Sequence, residues 1–570
     1  MSDYTFINLD NNQTYNVKFE YVQNIINTEN ITNIKFIRLP NKIPANFLKS
    51  CHNLTDISFE NCLNVTSIGH NFMADCSSLI NPNFEGLNNL QSIGYNFMAD
   101  CSSLANPNFN GLNNLISIVH NFMANCSSLT NPNFEGLNKL RVIGDSFMAD
   151  CRSLTNPNFN GLNNLKSIGS VFMASCFSLK NPNFEGLNNL QLIGDNFMNH
   201  CILLENPNFS GLNNLESIGS NFMYYCESLT NPIFSGLNNL QSIGHNFMSS
   251  CKLLTNPNFS GLNNLRVIGN YFMAGCESLT NPNFSGLNNL QLIGDNFMYR
   301  CVSLINPNFS GLNNVKSIGD SFMSRCDSLI NPNFSGLNNL ISIGNSFMYG
   351  CNSLENPNFS GLNKLQKIDN EFMSRCSSLK NPNFSGLNNL QSIGTQFMRE
   401  CVSLTNPGFK GLNNLQLIDS GFMYECESLT NPDFSGLKKL NYLGKKAMDK
   451  CPNITQNQID KLYTIAKVGG YNNIMNAQML SLNNAIIRGN NTILPSDVTR
   501  YIGKFLNPDG RRKSHRKSRR KSRKSRRKSR KSRRKSRKSR KSRRKSRKSR
   551  KSRRKSRKNR RKSPRKNRNF

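Results

Sequence analysis

Apolar residues recur along this chain with a period of 25. From Asn71 to Lys445 fifteen units follow one another, well represented by residues 271–295, YFMAGCESLTNPNFSGLNNLQLIGD. Phe, Met, Cys, Leu and Ile hold fixed places in the unit, while polar residues vary between them. A looser unit, Asn46 to His70, comes first; a partial one comes last, with Ala447-Met448 in place of Phe-Met and then Cys451 and Ile454. One unit alone cannot bury its apolar side chains, whereas stacked neighbours can. The pattern therefore predicts a solenoid with one coil per unit.

Within a unit the spacing predicts two elements. Phe147, Cys151 and Leu154 stand at i, i+4 and i+7, one face of a short helix, and Asp145 is placed to cap it. That helix must end before Asn156-Pro157, because a residue preceding proline is driven out of the α region; chain reversal is expected there. Leu165 to Ile168 reads as a short strand and Gly169 as a left-handed position, where Asp369 and Asp419 are tolerable substitutes and Val119 is not. The looser first unit aligns LTDISFENCLNVTSIG with LINPNFEGLNNLQSIG. Leu54, Ile57 and Phe59 then look like a strand that later units exchanged for a tighter Asn-Pro turn, with Cys62 in the Leu87 column. The expected fold class is an α/β solenoid of about sixteen coils, each a short helix plus a short strand, roughly 75–80 Å long at ~4.8 Å per coil.

The flanks differ from the repeats. Residues 1–45 read as an N-terminal cap, with Thr32–Leu39 (TNIKFIRL) alternating like a strand. The solenoid occupies 46–454. A small helical segment follows at 455–508. Its first helix spans Thr455 to Val468, with Ile459, Leu462, Tyr463 and Ala466 inward and Gly469-Gly470 closing it. A second is expected over Asn472 to Arg488, and a third opens at Pro495 and Ser496. Residues 509–570 form a Lys/Arg/Ser-rich tail.

The unit S-I-G-x-N-F-M-x-x-C-x-S-L resembles the BspA-like branch of leucine-rich repeats, whose units read I-G-x-x-A-F-x-x-C-x-x-L. The resemblance covers residues 46–454 and departs in the longer unit and in the NPNF segment. Asn-rich repeats joined to a Lys/Arg/Ser tail are also similar to leucine-rich repeat proteins of giant, mimivirus-type DNA viruses. These resemblances imply a curved scaffold for protein interaction, acting inside a host cell: in the cytoplasm, a viral factory or the nucleus.

Charge divides the chain. Of 71 Lys and Arg residues, 40 lie between Arg511 and Phe570, a stretch with no Asp or Glu. The other 510 residues hold 31 basic and 33 acidic side chains, so a near-neutral body carries a cationic extension. Like charge at that density, with no apolar residue before Phe570 apart from Pro564, predicts a disordered tail. Such a segment meets polyanions, releasing counterions at each phosphate contact, and lacks the fixed framework needed to read bases. Arg511, Arg512, Lys513, Arg516, Lys517, Arg519, Arg520, Lys521, Arg526, Arg527, Lys528, Arg533, Arg534 and Lys535 are its leading candidates for nucleic-acid or other polyanion contact. A solubilising or nuclear-localising extension is the plainer alternative. Its 14 serines follow basic residues, a context that suits basic-directed kinases, and phosphorylation would offset more than half the charge.

Seventeen of 18 cysteines share one repeat phase, from Cys51 to Cys451, with only Cys62 outside it. Disulfide frameworks and zinc sites use other spacings, so the column reads as small, buried, inert side chains in a reducing compartment. The N-terminus lacks the regions of a signal peptide, and no apolar run reaches a membrane span. The Asn columns (Asn81, Asn83, Asn88 and their copies) read as amide ladders to loop backbone. His70, His120 and His245 share a position that elsewhere holds Asp, Ser, Asn or Thr, so no metal site follows. No carboxylate pair, Ser–His–Asp set or phosphate loop recurs; neither an enzyme nor a cofactor is expected.

As they do after Cys and after Leu-Asn-Asn-Leu, units vary freely at the two residues before Cys. Those positions should face solvent, and they carry Tyr224, Tyr225, Tyr299, Arg300, Arg325, Tyr349, Arg375, Arg399 and Tyr424, residue types favoured at binding hot spots. They are the candidate surface for a protein partner, against tolerated surface drift. ILPSDVTRYIGKFL resembles the opening of an F-box through Leu494, Pro495, Asp497, Val498, Ile502, Phe505 and Leu506, against a third capping helix. The leading expectation is a non-enzymatic scaffold whose repeats bind protein and whose tail binds nucleic acid. A ubiquitin-ligase substrate adaptor acting through residues 493–506, and a protamine-like condensing protein, are the alternatives.

Overall fold

Each unit folds into one coil, and backbone pairing between successive coils organises the stack. The computed structural model of the protein describes residues 4–474 and 476. The chain divides into two units, Met1–Gln478 and Met479–Phe570, and the described residues lie in the first.

The N-terminal segment forms β1 (Tyr4–Asn8), β2 (Gln13–Val17), α1 (Phe19–Thr28) and β3 (Asn33–Arg38). β1 pairs antiparallel with both β2 and β3. β4 (Lys42–Ile43) then opens a parallel ladder of seventeen two-residue strands that ends at Tyr442–Leu443. Ile143, Ile168 and Ile193 lie opposite one another in it, one per coil. The strand expected at Thr32–Leu39 is present as β3; the rest of the N-terminal sheet and α1, which buries Val22 and Ile26, were not legible. Beyond the repeats, α2 (Gln456–Val468) matches the expected helix. Thr455 caps it in a capping box with Gln458, and Gly469 ends it at φ 83° in the left-handed region.

A second ladder runs through the Asn-Pro segment. β5 (Asp56–Phe59) pairs with β3 and with Asn81–Asn83, placing Ile57 opposite Pro82. From there single bridges join Asn83, Asn108, Asn133 and Asn158 coil by coil. So the segment expected to reverse the chain is extended, as the β preference of a residue before proline favours. Reversal occurs just before it, in a turn closed by the Leu154 amide on the Cys151 carbonyl at 3.1 Å.

The short helix expected in each coil is absent. In the coil of Phe197 the φ angles of Asn196, Met198 and His200 are 59°, 52° and 58°, alternating with residues whose φ is not positive. Their amides donate to Ser220 O, Phe172 O and Tyr224 O, hence to the coils on either side. A one-turn helix would leave most of its end groups unpaired and is about 10 Å wide, twice the spacing of hydrogen-bonded strands. The alternating backbone instead pairs these amides at the pitch of the stack. Apolar spacing misled because four-residue turns, Cys151–Leu154, Phe159–Leu162 and Leu162–Leu165, also bring every third residue inward. Asp145 accordingly caps no helix: its Oδ1 accepts the Ser170 amide of the next coil at 2.7 Å.

Gly169 is not left-handed either. A Cβ there would lie 2.5 Å from Asp145 Oδ1 and 2.6 Å from Gly144 C, so the column is glycine because adjacent coils approach closely. Val119 shows the cost of departing from it. Gly94 and Gly144 donate to Ile68 O and Ile118 O, but no corresponding Val119 to Ile93 bond forms, and only Ser92–Ser117 remains paired between those strands.

The interior is a set of columns. Phe222, Phe247 and Phe272 stack with centroids 5.3 and 5.2 Å apart, and a second column, Phe234 and Phe259, packs at 5.9 Å. All 18 cysteines are buried and unbridged. From Cys76 to Cys451 each thiol of the column donates to the carbonyl 28 residues earlier at 3.0–3.2 Å, as from Cys126 to Met98 O and Cys226 to Met198 O. The column is thus a set of hydrogen-bond donors as well as small apolar groups. The Asn side chains do bond loop backbone: Asn83 Oδ1 accepts the Glu85 amide at 3.0 Å and Asn156 Oδ1 the Asn181 amide at 3.3 Å. In the Asn88 column the main-chain carbonyl accepts, from Asn114 Nδ2 to Asn88 O at 2.7 Å and from Asn164 Nδ2 to Asn138 O.

Candidate partner-binding surface

The alternating backbone before each Cys decides which side chains reach solvent. In residues 221–226, Phe222, Met223 and Cys226 point inward, Tyr224 is half-buried and Tyr225 is exposed. The same order holds in other coils. Arg300, Arg325 and Arg375 are exposed, whereas Tyr299, Tyr349, Arg399 and Tyr424 are half-buried. The expectation that both positions face water is therefore corrected: the first tends inward, and its small residues Ser249, Ser324 and Ser374 are buried, with Ser249 Oγ donating to Ala274 O at 2.9 Å.

These residues meet one another both within a coil and between neighbouring coils. Arg300 lies 5.5 Å from the Tyr299 ring, Arg375 lies 5.7 Å from Tyr349, and Arg399 lies 5.4 Å from Tyr424. His200 stacks on Tyr225 at 5.1 Å, and Tyr224 meets Tyr225 edge-on. Four further residues complete the C-terminal part of the surface: Glu400, which varies between units together with Arg399, and Glu425, Lys446 and Lys450, which the comparison of units did not single out. Glu400 bridges Arg375 at 2.9 Å and Arg399 at 2.6 Å; Glu425 pairs with Lys450 at 2.6 Å; Lys446 and Lys450 approach the Tyr424 ring. The hydrogen bond from Lys450 holds the Glu425 carboxyl below its ordinary pKa, with Arg399 adding to the effect. Three of the four belong to the same two columns or their neighbours, so a reading by column rather than by residue type would have found them.

Beside this cluster a cavity of about 370 Å³ is lined by Thr395, Gln396, Arg399, Ser420, Gly421, Tyr424 and Lys446. Among the described residues Arg399 Nε is buried without a hydrogen-bond partner. Among the described residues no group of three or more His, Cys, Asp or Glu side chains is arranged to hold a metal ion. No helix among them is long and apolar enough to cross a membrane. Arg511 to Lys535, and the F-box-like Leu494 to Leu506, lie outside the described residues, as does most of the helix expected over 472–488.

One family model covers the repeats. The BspA-type leucine-rich repeat region matches in overlapping segments over residues 21–155, 117–255, 241–380, 291–410 and 342–474. The chain belongs to this family. Leucine-rich repeat proteins act in general as protein-interaction scaffolds, their stacked units offering extended surfaces. Among solved structures the chain is similar to a leucine-rich repeat protein from Bacteroides ovatus, at 23% identity over 63% of this chain and 83% of that one, with a TM-score of 0.38. A leucine-rich cell surface protein from Faecalibacterium prausnitzii is similar at 15% identity, over 61% and 83%, with a TM-score of 0.27. The leucine-rich repeat protein of T. pallidum matches at 16% identity, over 39% and 84%, with a TM-score of 0.18. No curated protein matches this chain.

Proposed function

We propose that this leucine-rich repeat protein is a non-enzymatic, intracellular scaffold. In this reading its repeat surface holds a protein partner, and its tail from Arg511 onward binds nucleic acid or another polyanion without sequence specificity. The observation that carries the first half is the Tyr/Arg surface itself: Tyr299–Arg300, Tyr349–Arg375 and Tyr424–Arg399 present aromatic and guanidinium groups on a stack whose backbone is pinned coil to coil. Aromatic and Arg side chains dominate interface energetics, and those already held against a neighbour lose less freedom on binding. The second half rests on 40 cationic residues with no acidic one between Arg511 and Phe570. Asn-rich repeats joined to such a tail also support a place beside the giant-virus proteins they resemble.

The test takes the full chain. A photo-crosslinking side chain at Tyr299 is expected to capture a defined protein in expressing cells, and Arg300→Ala with Arg325→Ala to abolish the capture. Duplex binding by the tail should fall linearly in log affinity against log salt, with a slope of about −0.9 per phosphate contacted. Kinase treatment of the serines should weaken it further. Capture that ignores the Arg changes overturns the first half, and salt-insensitive binding the second.

A further inference from the structure

One exposed column carries a charge order that its neighbours lack. The residue before each Cys reads, coil by coil from Asp75: Asp75, Asp100, Asn125, Asp150, Ser175, His200, Tyr225, Ser250, Gly275, Arg300, Arg325, Gly350, Arg375, Glu400, Glu425, Lys450. All three Asp fall in the N-terminal half and all three Arg in the C-terminal half. The intervals agree as well: Asp75, Asp100 and Asp150 are spaced one and then two coils apart, and so are Arg300, Arg325 and Arg375.

From this match we infer that the column is a self-association surface and that its partner is a second copy of the chain. The copy lies alongside in the same direction, displaced by nine coils, about 43 Å at ~4.8 Å per coil. The inference rests on the scaffold reading above and names its partner. In that register Asp75 faces Arg300, Asp100 faces Arg325 and Asp150 faces Arg375, with Asn125 opposite Gly350. Further along, Ser175 meets Glu400, His200 meets Glu425 and Tyr225 meets Lys450, so no like charges oppose each other. An antiparallel pair with its two-fold axis at Tyr225 joins only Asp75 to Arg375 and Asp150 to Arg300, leaving Asp100 against Gly350 and Arg325 against Asn125.

The structure leaves these groups available. Arg300, Arg325 and Asp100 are exposed, and Asp75 and Asp150 are half-buried. Asp150, Arg325 and Arg300 make no ion pair among the described residues; Asp75 accepts from Ser50 Oγ at 3.0 Å and has a 3.9 Å approach from His52, Asp100 accepts from Asn125 Nδ2 at 2.8 Å, and Arg375 shares Glu400 with Arg399. Backbone ladders fix the column, since Asp150 N, Arg300 N and Arg375 N each donate to the coil that follows. Single exposed ion pairs contribute little, but a row at fixed spacing sets register and rejects other alignments. Because the displaced contact joins one half of the surface to the other half of the next copy, it does not close: each copy offers a free half to a third.

Sedimentation of the nuclease-treated full chain at about 0.15 M salt, where the Debye length is ~8 Å, tests the inference. The expected result is a sedimentation coefficient that climbs with concentration without levelling at a dimer, and that returns to the monomer value near 1 M salt. Asp150→Arg should weaken association at least tenfold, and Arg375→Asp in the same chain should restore it. Asp100→Arg with Arg325→Asp provides an independent pair should the first variant fold poorly. A chain that stays monomeric throughout overturns the inference, as does restoration of Asp150→Arg by Arg300→Asp, the antiparallel pairing. Crosslinking from Tyr299 to another protein in a monomeric chain would overturn self-association and leave the scaffold reading standing.

Discussion

The Cys226 thiol sits 3.1 Å from the carbonyl oxygen of Met198, one coil back, and no other hydrogen bond reaches that carbonyl among the described residues. Met198 is in the left-handed conformation at φ 52°, which turns its carbonyl into the interior instead of toward a backbone partner. The unusual backbone and the Cys column therefore depend on each other. Cys226→Ala is expected to lower stability by about 1–3 kcal/mol through an orphaned carbonyl and a small void. Chemical denaturation checks it; a change below about 0.5 kcal/mol would show that the thiol only fills space.

Burial pushes the thiols of Cys151, Cys201, Cys276 and Cys401 up to about 12. These groups stay protonated in the fold but ionise near 9 once unfolded. Their stabilisation is therefore whole below pH ~9 and is lost as pH rises from there through the folded values. Alkaline melts should show Tm falling above pH ~9, while thiol reagents at pH 8 should leave the column unmodified until denaturant is added. Cys451, at the last coil and 7% exposed against 0% for Cys226, is expected to react first.

Gly194 packs against the preceding coil so closely that a Cβ would lie 2.6 Å from Gly169 C. Gly194→Val should part these two coils as Val119 parts its own, with a loss of about 1–3 kcal/mol by overpacking. Hydrogen exchange at Ile193 and Gly194 would report the opened ladder, and unchanged protection there would refute the account.

α2 covers the last coil. Leu462 and Ile465 are fully buried, the Tyr463 hydroxyl donates to Gly444 O at 3.1 Å, and Gln458 Nε2 donates to Thr430 O at 2.7 Å. Leu462→Ala is expected to cost about 2–5 kcal/mol and to expose the final coil first, since each coil is held by its neighbours. Limited proteolysis should then begin at residues 430–450, and cleavage starting in the N-terminal coils would contradict this.

The sequence by itself determined the repeat, the columns and the cap. Phe, Met, Cys, Leu and Ile at fixed phases dictate a shared interior for any stack of such units, and the spacing of Ile459, Leu462, Tyr463 and Ala466 with the closing Gly469 marks α2. The charge order of the column before Cys is likewise written in the chain. Only the tertiary structure decided the backbone within a coil. Local propensity argues for a helix at Phe197–Cys201 and against a left-handed Met198, but a helix cannot bond to its neighbours at the pitch of the stack. The ladders to Ser220, Phe172 and Tyr224 offset a conformational cost that no single unit could bear. For the same reason the glycine of each strand is fixed by a contact 25 residues away in sequence, which is visible only once the coils are brought together.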